Sequence, residues 1–244
     1  MEKTTKISTG SFDFNKWLYG GYEKGVITMI AGPPGSGKTN FCLLVSCSQA
    51  KKKNKVIYID TEGGFSSERV KQMAGEDYEL VLGNILLIEP TDFEEQKKHF
   101  QKLLEIIKKE KIELIVVDGM AMHYRLELGD AIKLKDDEKI KNVNRDLATQ
   151  MKILSEISRR YNIPIIITNQ VYSGFLSRED LEKGAERIVN LVGGDLMKYW
   201  SKCIIELKID KNRKKAILSK HRSLPVKEMN FEIRNEGVFK RGWI

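Results

Sequence analysis

Eight consecutive residues constrain this chain more than any others: Gly32-Pro33-Pro34-Gly35-Ser36-Gly37-Lys38-Thr39, a complete G-x-x-x-x-G-K-[ST] signature. Glycines at this spacing let a loop wrap so that successive backbone N–H groups face one anion. A helix starting directly afterwards adds its positive end. Such a loop needs a strand before it and a helix behind it. The apolar run 26–31 supplies the first, and a stretch carrying Phe41, Leu44, Val45 and Cys47 on helical spacing supplies the second. In that setting Lys38 reaches the β- and γ-phosphates and the Thr39 hydroxyl ligates a metal, so ATP and Mg2+ are the expected cofactors. Residues 32–39 and the adjoining Asn40 are the nucleotide-binding candidates.

The rest of the chain repeats the same alternation. Runs rich in Ile and Val at 55–60, 85–88, 114–118 and 164–169 lack strict polar alternation, as strands covered on both faces do. Helical patterns fill the gaps at 93–110 and 137–161; in the second, Ile140, Val143, Leu147, Met151, Leu154 and Ile157 recur three or four apart. Beyond residue 199 the runs 202–209, 214–219 and 229–234 read as short strands, the first turn being Asp210-Lys211-Asn212. The expected fold is α/β: a mainly parallel central sheet flanked by helices, extended by C-terminal antiparallel strands, in one core domain over 1–244.

Hydrophobic residues make up 41% and charged residues 31%, a globular mix. No apolar stretch approaches the roughly 20 residues a membrane helix needs, and Met1 to Lys6 lack a signal-peptide core, so a cytoplasmic protein without membrane partners is expected. Three scattered cysteines and three scattered histidines predict no structural zinc. A net charge of +8 suits nucleic-acid binding, and it equally suits a lysine-rich background; the positions of the charges must decide.

Asp118 closes the apolar run before it, where a second magnesium-positioning carboxylate belongs. Many P-loop motors carry Glu next, whereas Gly119 stands here. The candidate base therefore moves to the end of the second strand, Tyr58-Ile59-Asp60-Thr61-Glu62-Gly63-Gly64. A carboxylate there orients water toward the γ-phosphate, or else merely forms the turn.

Taken together these segments resemble the recombinase branch of the RecA-like ATPases, in particular the short archaeal paralogues of the RadA recombinase. The resemblance covers nearly the whole chain. It rests on Ser8-Thr9-Gly10 with Gly20-Gly21, on Tyr58 to Phe65, Ser67-Glu68-Arg69 and Asp118, and on Arg125-Leu126-Glu127-Leu128. It continues through Ile167-Thr168-Asn169-Gln170-Val171, Gly193-Gly194-Asp195 and Tyr199-Trp200-Ser201-Lys202 to Lys220-His221-Arg222. The resemblance implies that Glu62 activates water with Lys38 and Gln170 as the other catalytic groups, Gln170 sensing the γ-phosphate. It implies that Arg69 stacks on adenine, as a planar guanidinium can.

Two segments would face DNA in this family: 120–134, with Arg125, and 172–195, with Arg178, Lys183 and Arg187 outnumbered by acids, among them Glu179, Asp180, Glu182 and Glu186. Where filament-forming relatives carry an acidic, proline-containing segment over a neighbour's ATP, this chain has the basic Lys220-His221-Arg222 before Pro225. Three readings are open for the triplet: contact with DNA phosphates, contact with a nucleotide across an interface, or simply a charged strand exit. Only 31 residues precede Gly32, so no N-terminal helical DNA-binding domain is expected. The resemblance thus implies an ATP- and DNA-binding accessory protein of recombinational repair with weak hydrolysis and no strand exchange. Its implied partners are single-stranded or branched DNA, the RadA recombinase, the Holliday-junction resolvase Hjc and the small subunit of D-family DNA polymerase, with a dimer left open.

Overall fold

Side chains alternate across a strand, so a strand apolar at every position must be covered on both faces. The computed structural model of the protein, which describes residues 5–173, 189–211 and 213–242, follows this rule closely. Along β4 (Lys55–Asp60), Val56 and Tyr58 pack into one core layer and Ile57 and Ile59 into the other. Along β6 (Ile112–Asp118), Leu114 and Val116 divide from Ile115 and Val117 in the same way.

The first layer is closed by α1 (Phe12–Trp17), α2 (Lys38–Ala50), α3 (Ser67–Ala74) and α4 (Tyr78–Gly83). The second is closed by α5 (Phe93–Lys109), α6 (Met122–Lys133), α7 (Asp137–Tyr161) and α8 (Gly194–Trp200). In α7 the predicted stripe Val143, Leu147, Met151, Leu154 and Ile157 is buried. Asp136 caps its start by accepting from the Lys139 N–H, and Asn162 ends it in the left-handed region at φ 55°.

The remaining strands are β1 (Lys6–Ile7), β2 (Tyr22–Glu23), β3 (Ile27–Gly32), β5 (Ile85–Ile88), β7 (Ile165–Ser173), β8 (Val189–Leu191), β9 (Ser201–Asp210), β10 (Arg213–Lys220), β11 (Lys227–Arg234) and β12 (Gly237–Lys240). The main sheet runs β12-β11-β10-β9-β3-β7-β6-β4-β5, with β8 paired to β7; β1 and β2 form a separate ladder. From β9 through β5 every neighbouring pair is parallel, and from β9 outward through β12 every pair is antiparallel. The expected architecture is therefore the observed one, and β9 itself belongs to the parallel part. The carboxyl ends of β3, β4, β6 and β7 share one rim, where open α/β sheets bind ligands.

Among the described residues no helix is long and apolar enough to cross a membrane. Cys42, Cys47 and Cys203 are all buried and unbridged.

Candidate nucleotide-binding site

The loop from β3 into α2 has the shape its glycines require. Gly37 precedes the helix at φ 104°, and a Cβ there would sit 2.5 Å from Ile233 of β11. The C-terminal strands therefore wall the loop from outside. From the same side Lys214 of β10 donates to the Gly35 carbonyl, a contact no motif signals.

Lys38 is buried, and its Nζ donates to the carbonyls of Gly32 at 3.0 Å and Pro33 at 3.1 Å. Burial pulls its ammonium down, opposed by the carboxylates of Glu62 and Asp118. The hydroxyl of Ser36 is buried without a partner among the described residues. A buried cation held only by carbonyls beside an orphaned hydroxyl is costly unless an anion joins them. A triphosphate fits that need.

Asp118 faces this loop from the end of β6. Its Oδ1 accepts from the Thr168 hydroxyl at 2.7 Å and its Oδ2 from the Tyr58 hydroxyl at 2.9 Å. Burial pushes the carboxyl up, against hydrogen bonds from Thr168, Thr39 and Tyr58. A Cβ on Gly64 would lie 3.4 Å from Thr39 Oγ1 and 3.9 Å from Asp118 Oδ2, so all three line one spot. Hard oxygen donors beside a phosphate cradle fit magnesium, with Thr39 and Asp118 as its holders. When bound, the Mg-nucleotide would supply the γ-phosphoryl group and neutralise charge developing on it.

The loop after β4 sets the remaining carboxylates. Asp60 is buried and committed, accepting from the N–H groups of Glu62 at 3.0 Å and Phe65 at 2.7 Å. It builds the turn, which leaves Glu62 exposed as the carboxylate able to orient water. Glu62 Oε1 accepts from Gln170 Nε2 at 3.0 Å. Gly119 explains itself here: its φ is +90°, and a Cβ would lie 2.4 Å from Thr61 Oγ1 and 2.7 Å from Glu62 Cγ. The residue after Asp118 must be small because Glu62 occupies its space.

Arg69 on α3 and Asn40 on α2 meet beside the P-loop. Arg69 Nε donates to Asn40 Oδ1 at 2.8 Å, and its other nitrogens donate to Gln72 Oε1 at 2.7 Å and to the carbonyls of Arg234 at 2.6 Å and Asn235 at 2.9 Å. They border a cleft of about 450 Å³ that also includes Thr39 and Ile233, a place for a flat base.

The expected DNA contacts are distributed differently. Segment 120–134 is mostly the helix α6. His123 turns inward against the Pro90 carbonyl at 2.9 Å and the Tyr124 hydroxyl bonds Asn144 at 2.8 Å, while Arg125 is exposed and lines a small pocket with Glu62 and Gln170. Arg178, Lys183 and Arg187 lie outside the described residues. Lys220 Nζ donates to the Lys198 carbonyl at 2.7 Å. The His221 side chain is only 2% exposed, with Nδ1 accepting from the N–H groups of Ser223 at 3.1 Å and Leu224 at 3.2 Å. Arg222 bonds Glu23 at 2.9 Å. These three occupy the end of the sheet opposite the P-loop, since β9 runs parallel to β3 and Lys220 pairs near the start of β9.

Sequence reasoning missed Tyr58 and Thr168 as the donors on Asp118, and Lys214 on the P-loop. Tyr58 and Thr168 stood within stretches that matched the family, but only their convergence in space reveals the role.

A family model described as Rad51 matches residues 1–241 of the chain. Proteins named DNA repair and recombination protein RadB align along nearly its whole length. That of Methanobrevibacter smithii is 40% identical over 243 residues, covering 98% of this chain and 97% of its own. That of Methanocaldococcus jannaschii is 43% identical over 223 residues, 91% of this chain and 96% of its own. That of Methanothermobacter thermautotrophicus is 34% identical over 243 residues, with coverages of 98% and 97%. The chain belongs to the Rad51 family and, within it, to the RadB proteins.

Proposed function

We propose that this protein acts in DNA repair and homologous recombination as a nucleotide-dependent, DNA-binding accessory factor rather than as a strand-exchange engine. It binds ATP with Mg2+ and hydrolyses ATP slowly, and the bound nucleotide changes how the protein holds DNA and its partners. The observation that carries this reading is the contact between Glu62 and Gln170. The water-orienting carboxylate is tied to β7, the strand that leads into the second DNA-facing segment of the family. An arrangement of that kind couples phosphate occupancy to a surface more directly than it promotes turnover.

The names of the relatives support the process, and the P-loop with Asp118 supports the cofactors. By the same resemblance the protein modulates the RadA recombinase and bears on branched-DNA cleavage, with Hjc and the D-family polymerase small subunit as further partners. ATP turnover with and without single-stranded DNA, together with electron microscopy in the presence of ATP, tests the reading. Slow turnover that DNA changes little is expected. Strong stimulation by single strands that vanishes in Glu62→Ala, or long filaments, would replace the accessory factor with a strand-exchange ATPase.

A further inference from the structure

Between α1 and the strands β11 and β12 runs a groove of about 550 Å³ bordered by Phe12, Lys16, Tyr19, Lys227, Lys240 and Arg241. Two aromatic rings stand in solvent at its rim, Phe12 at 82% and Tyr19 at 71% exposure. Single exposed apolar residues are ordinary on protein surfaces, but two large aromatic side chains flanking one cationic groove are not.

Tyr19 is held outward at a cost. Its φ is 53°, in the left-handed region that a bulky residue avoids. Its carbonyl accepts from Lys6 Nζ at 3.1 Å, and Lys6 also reaches the Leu18 carbonyl at 2.9 Å, which fixes the turn. Lys227 lies over the Tyr19 ring at 4.4 Å and the Trp17 ring at 5.6 Å, and donates to the Trp17 carbonyl. A cation is thereby fixed between two rings, its charge at the groove.

The acids of the groove are already engaged. Asp13 Oδ2 accepts from the Lys240 backbone N–H at 2.7 Å, and Glu228 pairs with Lys215 at 3.0 Å. Among the described residues Lys16, Lys240 and Arg241 form no ion pair with a carboxylate. A groove with spare positive charge and exposed rings matches the chemistry of a single nucleic-acid strand, whose phosphates follow the cations and whose bases stack on the aromatics.

We infer that this groove is a binding site for single-stranded nucleic acid, lined by none of the residues of the family's DNA-facing segments. The inference rests on the proposed DNA-binding role of the protein. Beneath the groove, Phe14 packs edge-on against Phe41 of α2, with ring centroids 4.6 Å apart, and against Phe231 of β11 at 6.0 Å. The strand site is thus linked through three rings to the helix that begins at the P-loop.

The test compares binding of a 15-nucleotide oligo-dT with binding of an abasic phosphodiester chain of the same length, at low salt, by fluorescence anisotropy. Tyr19→Asn removes the ring while keeping a residue that tolerates the left-handed region, and Phe12→Ser removes the other ring from an exposed position. The expected result is a loss of roughly 5-fold or more in oligo-dT affinity for each variant, with abasic binding within about 2-fold of wild type, because only bases stack. The double variant Lys16→Ala with Arg241→Ala is expected to weaken both ligands and to flatten the salt dependence. In a Trp200→Phe, Trp243→Phe background, Trp17 emission is expected to fall on adding oligo-dT.

Unchanged oligo-dT affinity in both ring variants overturns the site while leaving DNA binding elsewhere intact. Equal losses for the two ligands overturn the stacking role, and a shift in sedimentation without a change in oligo-dT binding marks the groove as a protein interface instead. Failure of the wild-type protein to bind oligo-dT at all overturns the DNA-binding role itself.

Discussion

Gln170 on β7 donates to Glu62 in the loop after β4, two strands away across β6, Nε2 to Oε1, at 3.0 Å. In the proposed function, the pair joins the carboxylate that orders water to the amide that reads the γ-phosphate. Replacing either has separable consequences. Glu62→Gln keeps the hydrogen-bonding shape and removes the base, so turnover should drop about 100-fold or more while ATP affinity stays within a few-fold. Gln170→Ala leaves the base in place; it should lower turnover less and should abolish any effect of ATP on DNA affinity. Isothermal titration with a non-hydrolysable analogue, alongside steady-state ADP release, distinguishes the two outcomes.

Gly119 offers a structural check on the same carboxylate. Gly119→Ala forces a Cβ into Thr61 and Glu62 at a positive φ. The left-handed penalty for a non-glycine residue, about 1–2 kcal/mol, adds to overpacking of about 1–3 kcal/mol. We expect roughly 2–5 kcal/mol of destabilisation in urea unfolding, with turnover reduced because Glu62 is displaced. A variant as stable as wild type would show that the loop after β4 gives way easily.

Asp118 makes the nucleotide-free protein sensitive to pH. Burial raises its carboxyl above the ordinary 3.8, so the folded state holds the proton more tightly than the unfolded chain. The sign follows: the charged form costs stability at neutral pH, and the cost is relieved as pH falls through the folded pKa, ending near 3.8. Relative to Asp118→Asn, wild type without nucleotide should gain stability on acidification across that window. Magnesium with ATP should erase the gain, since the metal favours the carboxylate. Urea unfolding of both proteins from pH 7 downward measures it, and parallel curves would contradict the assignment.

Arg69 bridges the base cleft and the β11–β12 turn through the carbonyls of Arg234 and Asn235. Arg69→Ala should weaken ATP binding about 10-fold, consistent with loss of stacking on a base, and should cost roughly 1 kcal/mol of stability through the lost hydrogen bonds. Lys in place of Arg should not restore affinity, because an ammonium lacks the planar face. Titration with ATP and with inorganic triphosphate separates base from phosphate effects: only ATP affinity should change.

Glu23 holds Arg222 and lies beside His221. If the basic triplet contacts DNA phosphates, Glu23→Gln should raise DNA affinity by releasing Arg222, and Arg222→Ala should lower it and reduce the salt slope by roughly 0.7–0.9. Exposed ion pairs contribute about 0–1 kcal/mol, so neither change should unfold the protein. Equal DNA affinities in all three proteins would remove the triplet from the DNA surface.

Chemistry confined to consecutive residues was determined by the sequence alone. The glycine spacing of 32–39, the strand before it and the helix behind it can form little except a phosphate cradle. The unbroken Ile and Val runs at 55–60 and 114–118 require cover on both faces, which already specifies a parallel sheet between two helical layers. The tertiary structure alone decided whatever depends on residues far apart in the chain. Asp60 and Glu62 are indistinguishable as carboxylates in a row until the backbone N–H groups of Glu62 and Phe65 claim the first. Tyr58 and Thr168 become partners of Asp118 only when three strands end side by side. The basic triplet reads as open charge in one dimension, yet His221 is spent on its own turn and Arg222 on Glu23. Local pattern carries the fold because periodicity is local; the assignment of each side chain waits on which neighbours compete for its hydrogen bonds.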